Sequence, residues 1–211
     1  MDTVNIEGRA YHHGDLKPSL LEVALQVLDT EGLEAVSIRR LARELGVAHS
    51  APANHFATRK DLLTGMAEVC FDELSLAQQR AQDDVGCPRD ESALKALYRA
   101  TLNYGLRYPN RYRMMFRWGD LNAEDTGLQT RIEILYRRLM QCMASTGGGT
   151  PLFSNETRAI ALWSMLHGYM VMRIEGTIQG GFHDEINGMP REEALFALLT
   201  HLTSEPTGFA G

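Results

Sequence analysis

The sequence predicts an all-α protein of about nine helices, with an N-terminal helix-turn-helix unit of three helices and a larger C-terminal helical domain. Two observations support this prediction. Apolar residues recur at intervals of three and four positions along most of the 211 residues, which is the repeat of one buried helix face. Glycine and proline separate these segments, and no segment shows the alternation of apolar and polar residues that is typical of a strand.

The first helix is predicted to begin after Asp15, whose side chain can cap it, and to end at Gly32. Pro18 is tolerated in its first turn, because the backbone N–H groups there have no helical partners. The apolar face of this helix consists of Leu20, Leu21, Ala24, Val27 and Leu28.

A helix-turn-helix motif is predicted between Ser37 and Leu63. Ser37 provides a side-chain acceptor where a helix N-cap is needed. The buried face of the first helix is formed by Ile38, Leu41, Ala42 and Leu45. Gly46 can adopt a positive φ, so the helix can stop there and the chain can turn sharply. In this motif the second helix enters the major groove of DNA.

The candidate recognition segment covers residues 48–55. Asn54 can form two hydrogen bonds with adenine, and His49 and Ser50 can donate to bases or phosphates. Ala51 or Ala53 can contact a thymine methyl group. Each of these side chains could instead complete a surface turn. The predicted DNA contacts are Tyr11, His12, Arg39, Arg40, Ala48, His49, Ser50, Ala51, Ala53, Asn54, His55, Arg59 and Lys60.

This part of the chain resembles the tetracycline-repressor (TetR) family of bacterial regulators. The matching residues are YHHGDL at 11–16, EGLEAVSIRRLARELGV at 31–47, and His55-Phe56 followed by Arg59 and Leu62-Leu63. Farther along, WSMLHG at 163–168 resembles the Trp-His-Gly signature of one type of TetR C-terminal domain. The resemblance implies a repressor that binds a near-palindromic operator as a homodimer and is released by a small-molecule inducer.

Three positions depart from the family pattern. Ala48 stands where the family usually has a serine or threonine cap, and Ala53 stands where a tyrosine usually reaches a phosphate. Pro52 disfavours a helical conformation at Ala51 and removes one backbone N–H. Losing the tyrosine hydroxyl removes a hydrogen bond worth about 1 kcal/mol in each subunit.

The charge balance opposes DNA binding. The net charge is −6, and the segment up to Leu63 has seven basic and nine acidic side chains. A positive surface joining Arg39, Arg40, Arg59 and Lys60 would favour DNA. Its absence would favour the alternative, a ligand- or partner-binding module of the same fold with weak or lost DNA affinity. An enzyme is not predicted, since the sequence has no nucleophile–base signature, glycine-rich phosphate loop or HExxH motif.

No membrane span, metal or cofactor is expected. No run of apolar residues reaches the length that a bilayer requires, and the N-terminus lacks an apolar signal sequence. Cys70, Cys87 and Cys142 are widely spaced and odd in number, which indicates neither a disulfide framework nor a zinc site. His12 and His13 are not expected to bind a metal together, because the side chains of adjacent residues would point in different directions. A cytoplasmic protein is therefore expected.

The last two helices are predicted to form a dimer interface, because the TetR resemblance implies a four-helix contact between subunits. In the first of them the apolar residues are spaced as in a helix–helix seam. This seam is Ile160, Trp163, His167, Met170 and Ile174. The second helix begins at Pro190 and contributes Leu195, Leu198, Leu199 and Leu202.

A ligand pocket is predicted among the middle helices, where aromatic residues and methionine are dense. Such side chains suit a largely apolar or aromatic effector. The predicted pocket residues are Tyr104, Tyr108, Tyr112, Met115, Phe116, Trp118, Trp163 and His167. The alternative is that these aromatic residues are ordinary core, and that His167 is a buried histidine bonded to a neighbour.

The predicted organisation has four parts. Residues 1–10 form a flexible arm, 11–57 the helix-turn-helix domain, 58–205 the regulatory and dimerisation domain, and 206–211 a tail. Thr58 and Asp61 resemble a capping box that opens a long helix. This helix is expected to join the two domains.

Overall fold

The computed structural model describes residues 16–85, 91–144, 154–178, 185–186 and 188–203, and the fold within them is all-α. The eight α-helices are α1 (Leu16–Glu31), α2 (Ile38–Glu44), α3 (Arg59–Val85), α4 (Glu91–Arg107), α5 (Pro109–Met115), α6 (Thr126–Ala144), α7 (Asn155–Ile174) and α8 (Arg191–Thr203). The three 3₁₀-helices are Leu33–Ala35, Ala51–Asn54 and Trp118–Asp120. The predicted fold class is therefore confirmed.

A two-stranded hairpin precedes α8, in which β1 (Glu185–Ile186) pairs antiparallel with β2 (Met189–Pro190). The sequence pattern predicts no strand here. Each strand has only two residues, too few to show an alternating pattern.

The helix-turn-helix begins and turns where the sequence predicts. The Ser37 hydroxyl accepts a hydrogen bond of 3.3 Å from the backbone N–H of Arg40 and so caps α2. After α2, Gly46 has a φ of 66°. The N–H of the next residue, Val47, reaches back to the carbonyl of Ala42 at 3.0 Å. The turn therefore depends on a conformation that residues other than glycine rarely adopt.

The recognition segment differs from the predicted helix, because it forms a single 3₁₀ turn at Ala51–Asn54 rather than an α-helix. Pro52 has no N–H to donate, yet its carbonyl accepts from both His55 and Phe56 at 2.9 Å. Pro52 and Phe56 are buried, which holds the turn against the core. This short turn accounts for the difference between the nine or so predicted helices and the eight α-helices of the described residues.

Helix α3 extends over 27 residues from the N-terminal core, and its C-terminal half contacts α4 and α6 through Gln78–Thr101 and Gln82–Cys142 hydrogen bonds. Its predicted capping box is confirmed: the Thr58 N–H donates to Asp61 Oδ2 at 2.9 Å, and the Asp61 N–H donates to Thr58 Oγ1 at 3.1 Å. The long helix through both parts of the chain is as predicted.

Two apolar cores lie on either side of α5. The first packs α1 and α2 against the N-terminal half of α3, and it includes Met114 and Met115. The second is built by α4, α6, α7 and α8, and it includes Tyr112. Since α5 contributes to both cores, a displacement of this short helix must disturb both.

Candidate nucleic-acid interface and internal cavity

The recognition turn, Ala51–Asn54, is held against the core by the buried side chains of Pro52 and Phe56 and presents polar atoms to solvent. Within it Ala51 is half-buried. The exposed candidates in and before the turn are Ala48, His49, Ser50, Ala53, Asn54 and His55. Tyr11 and His12 lie outside the described residues. The surface is therefore accessible to DNA at most of the predicted positions.

Of the four predicted phosphate-contacting cations, three are exposed, namely Arg39, Arg59 and Lys60. The guanidinium of Arg59 donates to the carbonyl of Leu33 at 3.0 Å, which fixes its position beside the first 3₁₀-helix. Arg43 was not among the predicted contacts, but it is exposed and lies on the same face of α2 as Arg39. The spacing of four residues between Arg39 and Arg43 is the sequence signal that could have identified Arg43 as a candidate contact.

Arg40 differs from the other cations, because two carboxylates hold it. Its Nη1 bonds Glu31 Oε2 at 2.7 Å and its Nε bonds Glu44 Oε1 at 2.6 Å. The hydrogen bond from Arg40 lowers the pKa of Glu31, so that carboxylate stays charged. The expected positive surface of four cations is thus interrupted at Arg40, which instead links α1 to α2.

An apolar cavity of about 240 Å³ lies between α3, α4, α6 and α7. It is open to solvent beside Trp118, Tyr136 and Ile160, which are 44%, 42% and 63% exposed. The thirteen residues that line it are Phe71, Gln78, Leu97, Tyr98, Phe116, Trp118, Ile132, Leu135, Tyr136, Leu139, Ala159, Ile160 and Trp163. Three of the eight predicted pocket residues are in this set: Phe116, Trp118 and Trp163. Helices from distant parts of the sequence contribute the others, which explains why sequence reasoning missed them.

Two further predicted residues form a second layer behind Phe116. The hydroxyl of Tyr112 is 3.0 Å from Nδ1 of His167, and the ring centroids of Phe116 and His167 are 4.6 Å apart. His167 also stacks on Trp163 at 5.9 Å. Burial lowers the pKa of His167, which favours the neutral imidazole.

The remaining three predicted pocket residues are not at the cavity. Tyr104 and Tyr108 line an open groove between α3 and α4, and the Tyr104 hydroxyl donates to Glu73 at 2.9 Å. Met115 is fully buried in the N-terminal core. A dense aromatic segment cannot enter one pocket as a whole, because successive residues of a helix point in different directions.

The predicted dimer seam on α7 needs correction. Met170 is fully buried, and its Sδ lies close enough to Gly105 of α4 that a Cβ added there would be 2.6 Å away. Trp163 and His167 face the aromatic cluster within the subunit, and Ile174 packs against the second core. Of the five seam residues only Ile160 is exposed.

The exposed face of α7 is adjacent to that seam. Its exposed residues include Ile160, Ala161, Ser164, Val171 and Met172. On α8, Leu198 is exposed, whereas Leu195 packs against the second core. The side chains of Leu199 and Leu202 lie outside the described part of the chain. Most of the α7 residues predicted for the interface therefore pack within the subunit itself.

Two family models match the chain. The model of the tetR family of bacterial regulatory proteins covers residues 20–66, and that of a tetracyclin repressor-like C-terminal domain covers residues 94–200. The chain belongs to the TetR family. It is therefore a DNA-binding transcriptional regulator, and no enzymatic activity is indicated. The segment from Trp163 to Gly168 lies within the matched C-terminal range.

Relatives of this TetR-family regulator agree with that assignment. An HTH-type transcriptional regulator of Mycobacterium tuberculosis, Rv0681, is 26% identical over 77% of this chain and 72% of its own length. Another, encoded in the dhlA 5′ region of Xanthobacter autotrophicus, is 28% identical over 68% of this chain and 69% of its own. A solved structure from Rhodococcus sp. RHA1 superposes with a TM-score of 0.71 at 25% identity, covering 93% of this chain and 97% of that one.

In this TetR-family regulator a polar cluster joins α5 to α1 and α3. Arg111 of α5 bonds both Asp29 of α1 and Glu73 of α3, and the neighbouring Asn110 donates to the carbonyl of Leu28 at 2.9 Å. Asp29 and Arg111 are 82 positions apart in sequence. No local pattern relates them, so only the folded chain reveals the contact. Of the helices in the described ranges, none is long and apolar enough to cross a membrane.

Proposed function

We propose that this TetR-family regulator is a ligand-responsive repressor. It binds a near-palindromic operator as a homodimer, and it is released when a small molecule occupies the apolar cavity between α3, α4, α6 and α7. The observation that carries the proposal is the position of α5. Phe116, at the end of this helix, lines the cavity, while Arg111 within it binds Asp29 of the helix-turn-helix unit. A ligand that moves Phe116 therefore acts on the element that supports the DNA-binding surface.

The proposed DNA contacts follow from exposure and chemistry. Asn54, His49 and Ser50 face solvent around the recognition turn and provide hydrogen-bonding groups for base edges. Arg39, Arg43, Arg59 and Lys60 are the proposed phosphate contacts, and the N-terminal residues Tyr11 and His12 are retained as additional ones. Arg40 is assigned to the α1–α2 junction, since its charge is balanced by two carboxylates.

The proposed dimer contact is the exposed face of α7, together with α8. This face exposes three apolar side chains in the single subunit, Ile160, Val171 and Met172. Contact with the same face of another copy would remove this apolar surface from water. Two recognition turns would then lie about one turn of DNA apart and read a near-palindrome. A regulator that binds chromosomal DNA in bacteria acts in the cytoplasm.

Release requires a ligand that prefers the DNA-incompetent state. Binding energy shifts the population only by the difference in affinity between the two states. In this proposal the ligand displaces Phe116 and α5, Asn110 and Arg111 shift with it, and the spacing of the two recognition turns ceases to fit the operator.

The experiment that tests DNA binding is selection of the purified protein against random duplexes at low salt, followed by salt titration of the recovered site. A palindrome bound with a steep salt slope is expected. Lys60→Ala removes one phosphate contact from each subunit of the dimer and should reduce the slope by about two. Asn54→Ala should relax the preference at one base pair of each half-site. Arg80→Ala, on α3 far from the recognition turn, is the matched control and should leave both unchanged.

The second candidate is a ligand- or partner-binding module of the same fold with weak DNA affinity. This alternative is favoured by the ion pairs of Arg40 with Glu31 and Glu44, and by the alanines Ala48 and Ala53. A folded dimer that enriches no duplex in the selection would support it and would contradict the repressor proposal.

A further inference from the structure

Helix α3 contains one glycine, Gly65, and it lies in the interior of the helix. A glycine there stabilises a helix less than an alanine does, because it loses more backbone freedom on folding. Gly65 is buried, and its φ is not in the positive region, so no turn requires a glycine. The reason for glycine at this position is therefore the space that a side chain would occupy.

The space beside Gly65 is occupied by the ring of Phe56, the second residue after the recognition turn. A Cβ added at Gly65 would lie 3.1 Å from Cε1 and 3.7 Å from Cζ of this ring. It would also lie 3.3 Å from Cδ2 of Leu21 on α1. Non-bonded carbon atoms pack best about 3.5–4.0 Å apart. A methyl group at Gly65 must therefore displace the ring, Leu21 or α3.

The Phe56 ring is tied to the recognition turn through its own backbone. The N–H of Phe56 donates to the carbonyl of Pro52 at 2.9 Å, and the N–H of His55 donates to the same carbonyl at 2.9 Å. The ring is also held on the α1 side, where Nζ of Lys17 lies 5.7 Å from its centroid. Since Phe56 is 2% exposed, it anchors the turn in the core. A ring pushed away from α3 therefore carries Asn54 and its neighbours with it.

The proposed phosphate contacts do not depend on the position of this ring. Arg59 and Lys60 lie in the first turn of α3 itself, and Arg39 and Arg43 lie on α2. Phosphate contacts set the general affinity and its salt dependence, whereas base contacts set the sequence preference. N–H···O hydrogen bonds span only about 2.7–3.2 Å, so a shift of the turn by a few tenths of an ångström acts mainly on base recognition.

We propose that Gly65 is a positioning residue for sequence recognition. It lies beneath the DNA-binding surface, and its lack of a side chain seats Phe56 and so aims the recognition turn at the base edges. This inference rests on the proposed DNA contacts of the turn and adds the residue that sets their position.

The test compares Gly65→Ala with the wild-type protein. Affinity is measured for the duplex recovered by selection and for a random duplex of the same length, each over a range of salt concentrations. We expect the affinity of Gly65→Ala for the selected duplex to fall at least about tenfold, as for one weakened base contact in each half-site. Its affinity for the random duplex and its salt slope should remain unchanged. A variant that was merely less folded would lose affinity for both duplexes.

Two double variants show through which neighbour Gly65 acts. Phe56→Leu removes the ring edge that the added methyl meets, so Gly65→Ala should have little further effect in that background. Leu21→Ala relieves the contact with α1 instead and is the matched control. In the Leu21→Ala background the full loss caused by Gly65→Ala should persist.

Amide hydrogen exchange tests the same contact without DNA. The amides of His55 and Phe56, which both bond Pro52, should exchange faster in Gly65→Ala than in the wild-type protein. If they do and the wild-type protein enriches no duplex, the seat of Phe56 stands and the DNA contacts of the proposed function are contradicted.

Four results would overturn the inference. They are an unchanged affinity of Gly65→Ala for the selected duplex, equal losses for the selected and random duplexes, unchanged exchange of the two amides, and a loss that disappears in the Leu21→Ala background but not in the Phe56→Leu background.

Discussion

Arg111 of α5 binds Asp29, in the last turn of α1, through hydrogen bonds of 3.0 Å from Nε and 2.6 Å from Nη2. The same guanidinium bonds Glu73 of α3 at 2.8 Å and lies over the ring of Tyr108. Arg111 is 12% exposed, whereas Asp29 and Glu73 are 28% and 38% exposed. One largely buried cation therefore joins the helix-turn-helix unit to the regulatory part of the chain.

Arg111→Gln is expected to lower the free energy of unfolding by roughly 1–3 kcal/mol, because it leaves two carboxylates without their cation while solvent still reaches both. Chemical denaturation measures this loss. The same substitution should weaken the coupling between the cavity and the operator, which is measured as the ratio of operator affinities with and without ligand.

Arg113→Gln is the matched control on the same helix. Its guanidinium bonds Glu175 at 2.7 Å, but the two side chains are 41% and 53% exposed. An exposed ion pair contributes about 0–1 kcal/mol. A loss in Arg113→Gln as large as that in Arg111→Gln would show that burial of the cluster is not what makes it stabilising.

Stability should fall on mild acidification because of His167. Burial lowers the pKa of His167 from its ordinary value of 6.5. The unfolded chain then binds a proton at a higher pH than the folded chain does. The contribution of His167 to the free energy of unfolding is therefore fully present above pH 6.5. It is lost as the pH drops from 6.5 toward the lowered pKa of the folded protein.

Melting temperatures measured at about pH 7.5 and about pH 5 test this dependence. His167→Gln keeps a group that can donate to or accept from the Tyr112 hydroxyl but cannot be protonated, so its melting temperature should fall less between the two conditions. His201→Gln, at an exposed position on α8, should behave as the wild-type protein does. An identical pH dependence in all three proteins would contradict the role of His167.

Val171→Arg should convert the protein to a monomer while leaving the subunit folded. Val171 is 40% exposed on the α7 face, so the substitution costs little within one subunit but places two charges in a symmetric contact. Sedimentation velocity measures the change in mass. Ile134→Arg replaces a side chain of similar exposure on α6 and should remain dimeric. A Val171→Arg protein that stays dimeric would exclude this face as the interface.

Gly46→Ala should destabilise the helix-turn-helix by about 1 kcal/mol, because alanine at a φ of 66° is strained even where there is space for its Cβ. Thermal unfolding followed by circular dichroism measures this loss. Gly119→Ala also meets open space but has no positive φ, so its effect should be smaller. Equal effects of the two substitutions would show that the backbone conformation at Gly46 is not limiting.

Features that depend on neighbours in sequence were predictable. The cap at Ser37, the turn at Gly46 and the capping box of Thr58 with Asp61 each involve residues within five positions of one another, and each is present in the structure. The family resemblance rested on the same local spacing. The helical content followed from periodicity, which is also local.

Features that depend on which way a helix faces were predicted less well. The spacing on α7 marked a continuous apolar face, but a buried core face and a dimer face have the same periodicity. The structure shows that Met170 packs against Gly105 within the subunit, while Val171 and Met172 are exposed. The recognition segment was predicted as a helix, but it forms a single 3₁₀ turn at Ala51–Asn54.

The sequence by itself determined the order of the helices, their ends, the helix-turn-helix and the family. The tertiary structure alone decided which aromatic residues share a cavity and that Arg111 joins Asp29 to Glu73. The physical reason is the range of the interactions: caps and turns form within a few residues, whereas a cavity or a buried ion pair forms where distant helices meet.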